Sequence, residues 1–371
     1  MKVLMLSKAM VVDSYQKRLE ELAKLPDIEL TVVVPQYWPE GQRRVSLQAK
    51  PTSYRFIVEN AVFTGHFHWH FYPRLGRVLR EVRPDIFHVD EEPYNLCTAH
   101  ALRLGRQLGT KNIFVHWQNI YRQYPPPFNV VEQLSYAWSD YAIAGNQEAK
   151  DILTRKGFTR PISVIPHAID PDLYSPRTAE PSHCPFHIGY VGRIIAAKGL
   201  EVLLQAASAL QGDWRLSFLG EGELRGGLQQ EVRELGVADR VVFHPPVKAS
   251  AVPDFIKALH VLVLPSLTTP GWKEQFGRVL IEAMACQVPV IGSDSGEIPN
   301  VIGDAGLVVQ EGNAQHLRSA LQRMMDDHDL RACLAARGRE RALANFSYAK
   351  LAQDTYQVYQ ELMSFRHSDP M

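Results

Sequence analysis

Residues 273–291 read KEQFGRVLIEAMACQVPVI. Two carboxylates, Glu274 and Glu282, stand eight positions apart with Gly277 between them, and a short apolar run, VPVIG (288–292), follows. On one continuous helix, eight residues would span roughly 12 Å and turn the two side chains about 80° apart. Such acids could not share one reacting atom. A helix that starts near Gly277 instead puts Glu274 in the loop before it and Glu282 in its second turn. The first amides of that helix, at Gly277, Arg278 and Val279, then lack acceptors inside it and suit a phosphate. A carboxylate on either side can hold a vicinal diol, because it accepts two hydrogen bonds at once. Taken alone, the two acids also fit a surface helix with scattered charges.

The helix-then-strand unit recurs along the chain. KVLMLS (2–7), LTVVVP (30–35), DIFHVD (85–90), NIFVHW (112–117), YAIAG (141–145) and ISVIP (162–166) read as strands. A helix is expected over 14–24, capped by Asp13 with Gln16 completing a capping box. A second set begins with FHIGYVG (186–192) and continues with LSFLG (216–220), VVFHP (241–245), VLVLP (261–265), VPVIG and GLVV (306–309). Apolar runs alternating with helices imply parallel sheets covered on both faces. Between the sets, residues 166–185 hold five prolines and little periodicity. The fold class is therefore α/β: two doubly wound Rossmann-like domains facing across a cleft. The expected bounds are an acceptor-side domain over 1–168, a linker over 169–185, a donor domain over 186–345 and a returning C-terminal helix within 346–371.

Composition fits this scheme. A chain of 371 residues, 46% apolar and 22% charged, suffices for two cores. Forty basic residues balance forty acidic ones, so bulk charge gives no argument for nucleic acid. Cys97, Cys184, Cys286 and Cys333 are far apart and form no CxxC pair. They suggest a reduced, cytoplasmic setting with cysteines as small buried hydrophobes. No apolar stretch has the length of a membrane span. The N-terminal MKVLMLSKAMVV is interrupted by Lys8 and reads as a first strand rather than a signal peptide.

In the second set, the first strand runs into VGRIIAAKG. Gly192 permits a sharp turn, and Arg193 and Lys198 stand at the carboxyl edge, where open α/β sheets bind ligands. Both also fit ordinary surface cations. Together, VGRIIAAKG, LGEGE and EQFGRVLIEAMACQVPVIGSDSGEIPNVI resemble the donor domain of the GT-B glycosyltransferases of family 4, over about 186–345. The resemblance implies retaining transfer from a nucleotide sugar. It also implies that Arg193 and Lys198 hold the diphosphate, Glu274 the donor sugar, and Glu282 the ribose. Backbone near Val247 would read the base. NIFVHWQ resembles the family's strand ending in a histidine beside the donor sugar, which gives that role to His116.

Departures stand beside these matches. The family's glycine pair after strand one is replaced by SKAMVVDSYQ, where Lys8 supplies a charge instead. Pro-Asn-Gly becomes Pro166-His167-Ala168, and Gly-Gly-x-Pro-Glu becomes the stretch Gly296 to Asn300, which leaves Glu297 without a role. DEEPYN (90–95) offers Glu91, Glu92 and Tyr94 to acceptor hydroxyls, or as solvated loop acids. HFHWH (66–70) aligns three histidines on one face of a strand, and an aromatic acceptor-side surface is favoured over a metal site. Asp170-Pro171-Asp172 and Asp327-His328-Asp329 read as turn and helix-end residues, so no metal or other cofactor is expected. The reading is a metal-independent, front-face hexosyltransferase using a UDP- or GDP-sugar. Its acceptor would be a glycan, a lipid-linked molecule or a small molecule, with peripheral membrane contact possible for the lipid case. A sugar-nucleotide epimerase of the same build and a non-catalytic sugar-nucleotide-binding protein remain the alternatives.

Overall fold

The computed structural model of the chain describes residues 1–40, 43–47, 53–181 and 185–364. It forms two compact units. One is Met1–Pro166 with the helix that starts at Tyr348, and the other is His167–Ser347.

The first unit contains, in chain order, β1 (Lys2–Leu6), α1 (Asp13–Ala23), β2 (Glu29–Val34), the hairpin β3 (Tyr37–Glu40) and β4 (Arg43–Ser46), β5 (Arg55–Val58), α2 (Leu75–Val82), β6 (Ile86–Val89), α3 (Leu96–Gln107), β7 (Lys111–His116), α4 (Phe128–Ala137), β8 (Tyr141–Ala144), α5 (Gln147–Arg155) and β9 (Ile162–Val164). Seven strands form one sheet in the order β5-β2-β1-β6-β7-β8-β9. All its pairings are parallel; Leu4, for example, lies between Thr31 and Phe87. Alternate residues of β1 enter opposite cores. Val3 and Met5 join Leu19 and Leu22 of α1, while Leu4 and Leu6 join Leu75 and Leu79 of α2. That two-faced burial is why the strands read as unbroken apolar runs rather than alternating ones.

The second unit contains β10 (Phe186–Val191), α6 (Leu200–Ser208), β11 (Trp214–Leu219), α7 (Arg225–Glu234), β12 (Val241–His244), α8 (Val252–Lys257), β13 (Val261–Leu264), α9 (Arg278–Ala285), β14 (Val290–Ser293), α10 (Ile298–Ile302), β15 (Leu307–Val309), α11 (Ala314–Asp326) and α12 (His328–Phe346). Its six parallel strands run β12-β11-β10-β13-β14-β15. The Pro-rich segment is not a free tether. Ile169 and Tyr174 are buried in this unit's core, and the Arg177 guanidinium donates to the Leu259 carbonyl at 2.7 Å. Prolines interrupt regular structure without preventing side-chain burial.

The last helix, α13 (Tyr348–Ser364), packs within the first unit through Ala352, Val358, Tyr359 and Leu362. Leu351 and Tyr356 of the same helix are only partly buried. Tyr359 Oη lies 2.7 Å from Nδ1 of His88, a fully enclosed residue of β6.

Several local expectations change. Asp13 does not cap α1: Val12 holds the cap position, because a 3₁₀ turn over Ala9–Val11 leads directly into the helix. Gln16 instead turns inward and donates to the Met10 carbonyl. Residues 66–70 form turns rather than a strand, and His68 and His70 take different partners, Asn95 and the Phe67 carbonyl. Asp170 accepts the amide of Asp172, and Asp327 caps α12 by accepting the amide of Leu330. Cys97 and Cys286 are buried as expected, Cys333 is exposed, and Cys184 lies outside the described residues. Among the described residues, no helix is long and apolar enough to cross a membrane.

Burial pushes the His88 imidazole down to about 4 from its ordinary 6.5. The unfolded chain therefore takes up this proton first on acidification. The associated stability is complete above pH 6.5 and is lost as pH falls towards 4, to a total of about 3 kcal/mol. Denaturant melts across that range should show this slope, and His88→Gln should flatten it. An equal slope in the variant would assign the loss to other groups.

Candidate functional site

In both units the polar residues gather where strands end. In the second unit the loop after β10 is locked to its neighbours through the backbone. Gly192 donates to the Leu219 carbonyl, Ile194 to Glu221, and Leu224 to Ile194. The fit is close enough that a Cβ on Gly220 would lie 1.9 Å from the Gly192 oxygen, and Gly220 itself has φ +151°. Leu267 in turn donates to Ala197, which ties the β10 loop to the loop after β13.

Lys198 ends a 3₁₀ turn in that loop. Its Nζ lies 2.5 Å from Oε2 of Glu274 and 4.7 Å from the centre of the Trp272 ring. Ser266, just beyond β13, donates to the same carboxylate oxygen at 2.8 Å. The pair is largely shielded, with side-chain exposures of 12% and 10%. Arg193 lies in the same loop and is exposed.

The opening stretch folds as its spacing requires. Gly277 caps α9 in the left-handed region, φ +79°, and its carbonyl accepts the Leu280 amide. Glu274 precedes the helix, and Glu282 is in its second turn. Burial raises the Glu282 carboxyl above the usual carboxylate range, and Arg278 opposes that shift from 3.0 Å. The neighbouring Tyr174 hydroxyl opposes the shift as well. Val247 is exposed in the loop after β12, and Glu297 is buried after β14 with its amide on the Glu274 carbonyl.

In the first unit, adjacent strands β1, β6 and β7 bring a second cluster together. The three consecutive acids after β6 take three different partners. Asp90 accepts from Ser7 Oγ at 2.7 Å and pairs with the Arg18 guanidinium. Glu91 is buried against the Lys8 ammonium, with His70 Nε2 at 3.7 Å. Burial alone would raise the Glu91 carboxyl, but Lys8 and His70 outweigh it and hold the group at about 2. Glu92 accepts the Trp117 amide at 2.9 Å through one oxygen and lies 2.7 Å from His116 Nδ1 through the other. His116 closes β7 fully buried, and its Nε2 has no hydrogen-bond partner among the described residues. Tyr94 packs against Tyr124, with ring centres 4.6 Å apart.

These contacts revise parts of the sequence reading. Lys8, expected to supply a charge in place of the glycine pair, is engaged by Glu91 and lies over the Trp38 and Phe67 rings. Glu91 is neither a solvated acid nor open to a ligand. Of the histidines in HFHWH, His70 stands beside the acid Glu91, while His68 contacts Asn95. Ser266 and Tyr174 were missed. Ser266 follows an apolar strand run, which is a usable signal, whereas Tyr174 carries no local mark of its contact with Glu282.

Comparison with known proteins places each half separately. The family model described as Glycosyl transferases group 1 matches residues 179–341. The one described as Glycosyltransferase Family 4 matches residues 18–173. A D-inositol 3-phosphate glycosyltransferase of Xylanimonas cellulosilytica is 31% identical over 250 residues, 62% of this chain and 58% of that protein. The chain spans about half the length of the curated relatives it matches. Among solved structures, sucrose-phosphate synthase of Thermosynechococcus elongatus aligns with TM-score 0.72 and 20% identity, covering 98% of this chain and 99% of that one. Anabaena HepE in complex with UDP aligns with TM-score 0.74 and 18% identity, covering 97% and 100%.

The shielded Lys198–Glu274 pair has a measurable consequence. Lys198→Met should lower the stability of the second unit by about 3 kcal/mol, because it leaves a shielded carboxylate without its cation. Adding Glu274→Gln should recover at least half of the loss. A double variant as unstable as the single one would show that the two groups are not coupled.

Proposed function

From a chain that belongs to the group 1 and family 4 glycosyltransferases of GT-B fold, we infer a retaining hexosyltransferase that uses a nucleotide diphosphate sugar. The observation that carries this reading is the cluster at the carboxyl ends of β10 and β13. There an exposed arginine, a carboxylate-held lysine and a helix start lie in one set of interlocked loops.

In this reading Arg193 and Lys198 hold the diphosphate, assisted by the amides of Gly277, Arg278 and Val279. Glu282 takes the ribose hydroxyls, backbone near Val247 contacts the base, and Glu274 contacts the transferred sugar while orienting Lys198. His116 contacts the sugar during transfer. UDP or GDP is the proposed nucleotide; UDP finds support in the HepE complex of the same fold. The bond from the anomeric carbon to the phosphate oxygen breaks, and the acceptor oxygen bonds to that carbon on the same face. The acceptor's proton passes to the leaving phosphate. Fixed charges at the phosphates and positioning supply the acceleration, without a metal. The acceptor is a hydroxyl of a glycan, a lipid-linked molecule or a small molecule.

The reading is tested by titrating UDP, GDP and ADP and their sugars into the protein, with hydrolysis of each sugar nucleotide followed over time. Arg193→Ala or Lys198→Ala should weaken diphosphate binding by about 1.5–3 kcal/mol. Unchanged affinity in both variants would remove them from the site. The two acids should separate: Glu282→Gln weakens free nucleotide and nucleotide sugar alike, whereas Glu274→Gln weakens only the sugar-bearing ligand. Equal losses for free nucleotide would reverse the assignment.

His116→Ala should lower kcat by roughly 10²-fold while nucleotide affinity stays near its original value. A lower melting temperature with normal turnover would give His116 a structural role alone.

A further inference from the structure

We infer that Glu92 fixes the tautomer of His116, so that Nε2 offers a bare lone pair and the site accepts a hydrogen bond from a ligand hydroxyl. The inference rests on the glycosyl-transfer reading only for the kind of ligand, a sugar hydroxyl; the tautomer follows from the first unit alone.

A carboxylate can only accept hydrogen bonds. One oxygen of Glu92 takes the Trp117 backbone N–H at 2.9 Å, and the other lies 2.7 Å from His116 Nδ1. The proton between Glu92 and His116 therefore belongs to Nδ1. In the neutral ring that leaves Nε2 unprotonated. The charged ring would bury an N–H with no partner among the described residues, which costs more than an idle lone pair. Glu92 is itself held in place. Its carbonyl accepts the Asn95 amide at 3.1 Å and the Thr98 hydroxyl at 2.6 Å, where the chain enters α3. On the other side, the His116 carbonyl accepts the Gly145 amide at 2.8 Å, which holds the strand end on β8. Both partners of the contact are thus fixed by backbone bonds.

Glutamine at position 92 would keep the shape but supply one acceptor where two are needed. The Trp117 backbone N–H cannot change its role, so the glutamine oxygen would go to it and the amide NH₂ would face Nδ1. The imidazole would then carry its proton on Nε2 and would donate where it now accepts. Glu92 is thus a positioning residue whose substitution reverses the polarity of recognition at His116.

The experiment begins with the full chain labelled with ¹⁵N-histidine, with long-range ¹H–¹⁵N spectra recorded at about pH 8 and His116 assigned by loss of its signals in His116→Gln. The wild-type spectrum should show Nδ1 protonated and Nε2 bare. A proton on Nε2, alone or together with one on Nδ1, would overturn the inference, and this measurement needs no substrate. In Glu92→Gln the bare nitrogen should move to Nδ1. A panel of monofluorinated sugar donors then reads the ligand side, because fluorine cannot donate a hydrogen bond. At one ring position, the ratio of kcat for the hydroxyl donor to kcat for the fluoro donor should shrink about tenfold on going from wild type to Glu92→Gln. Comparing the ratio between the two proteins cancels the electronic effect of fluorine. An unchanged ratio at every position would refute the recognition step. If no sugar nucleotide is turned over at all, the transfer reading fails while the spectrum still decides the tautomer.

Discussion

A parallel strand buried on both faces can carry a polar group along its length only where a buried partner meets it, as Tyr359 meets His88. In both sheets this constraint sends polar chemistry to the strand ends, and parallel connection puts all the carboxyl ends of a sheet on one edge. Ser7, Asp90 and His116 follow the apolar runs of β1 and β6 or close that of β7. Gly192 and Ser266 follow those of β10 and β13. The loops at that edge cannot be independent, because their backbone groups are partly buried and must pair with each other. In the second unit they do so through Gly192, Ile194, Leu224 and Leu267. Lys198 and Glu274 are consequently carried on a connected frame rather than on separate loops.

The acids at these edges show how burial and pairing compete. Glu91 and Glu282 are both enclosed, yet their carboxyls shift in opposite directions. Glu91 has the Lys8 ammonium against it, assisted by His70, and the attraction exceeds the cost of desolvation. At Glu282 the Arg278 guanidinium and Tyr174 do not offset burial. The nature and closeness of the cation decide the sign, so exposure alone would not have ranked these two groups. Glu92 uses its carboxylate differently again, as a double acceptor for a backbone amide and an imidazole.

The architecture could be read from the chain because two-faced burial leaves a plain mark, a run of apolar residues with no alternation. The strands of both large sheets were found this way, apart from β5. Its sequence RFIV is short and begins with a charge, so no clear apolar run marks it. The spacing of Glu274, Gly277 and Glu282 likewise fixed the start of α9, since left-handed backbone at a helix start favours glycine.

What the sequence determined by itself was the periodicity, and with it the two sheets, the helix that starts between the two acids and the edge on which charged residues would gather. What only the tertiary structure decided was partnership. DEEPYN gives no hint that Asp90 goes to Arg18, Glu91 to Lys8 and Glu92 to His116. Nothing near Tyr174 announces Glu282, and nothing in SKAM says that Lys8 is taken by Glu91. Periodicity is written in residues three, four or two apart, within reach of local reading. A salt bridge or an imidazole clamp joins residues that meet only once separate strands have taken their order in the sheet, and that order depends on the packing of the whole unit.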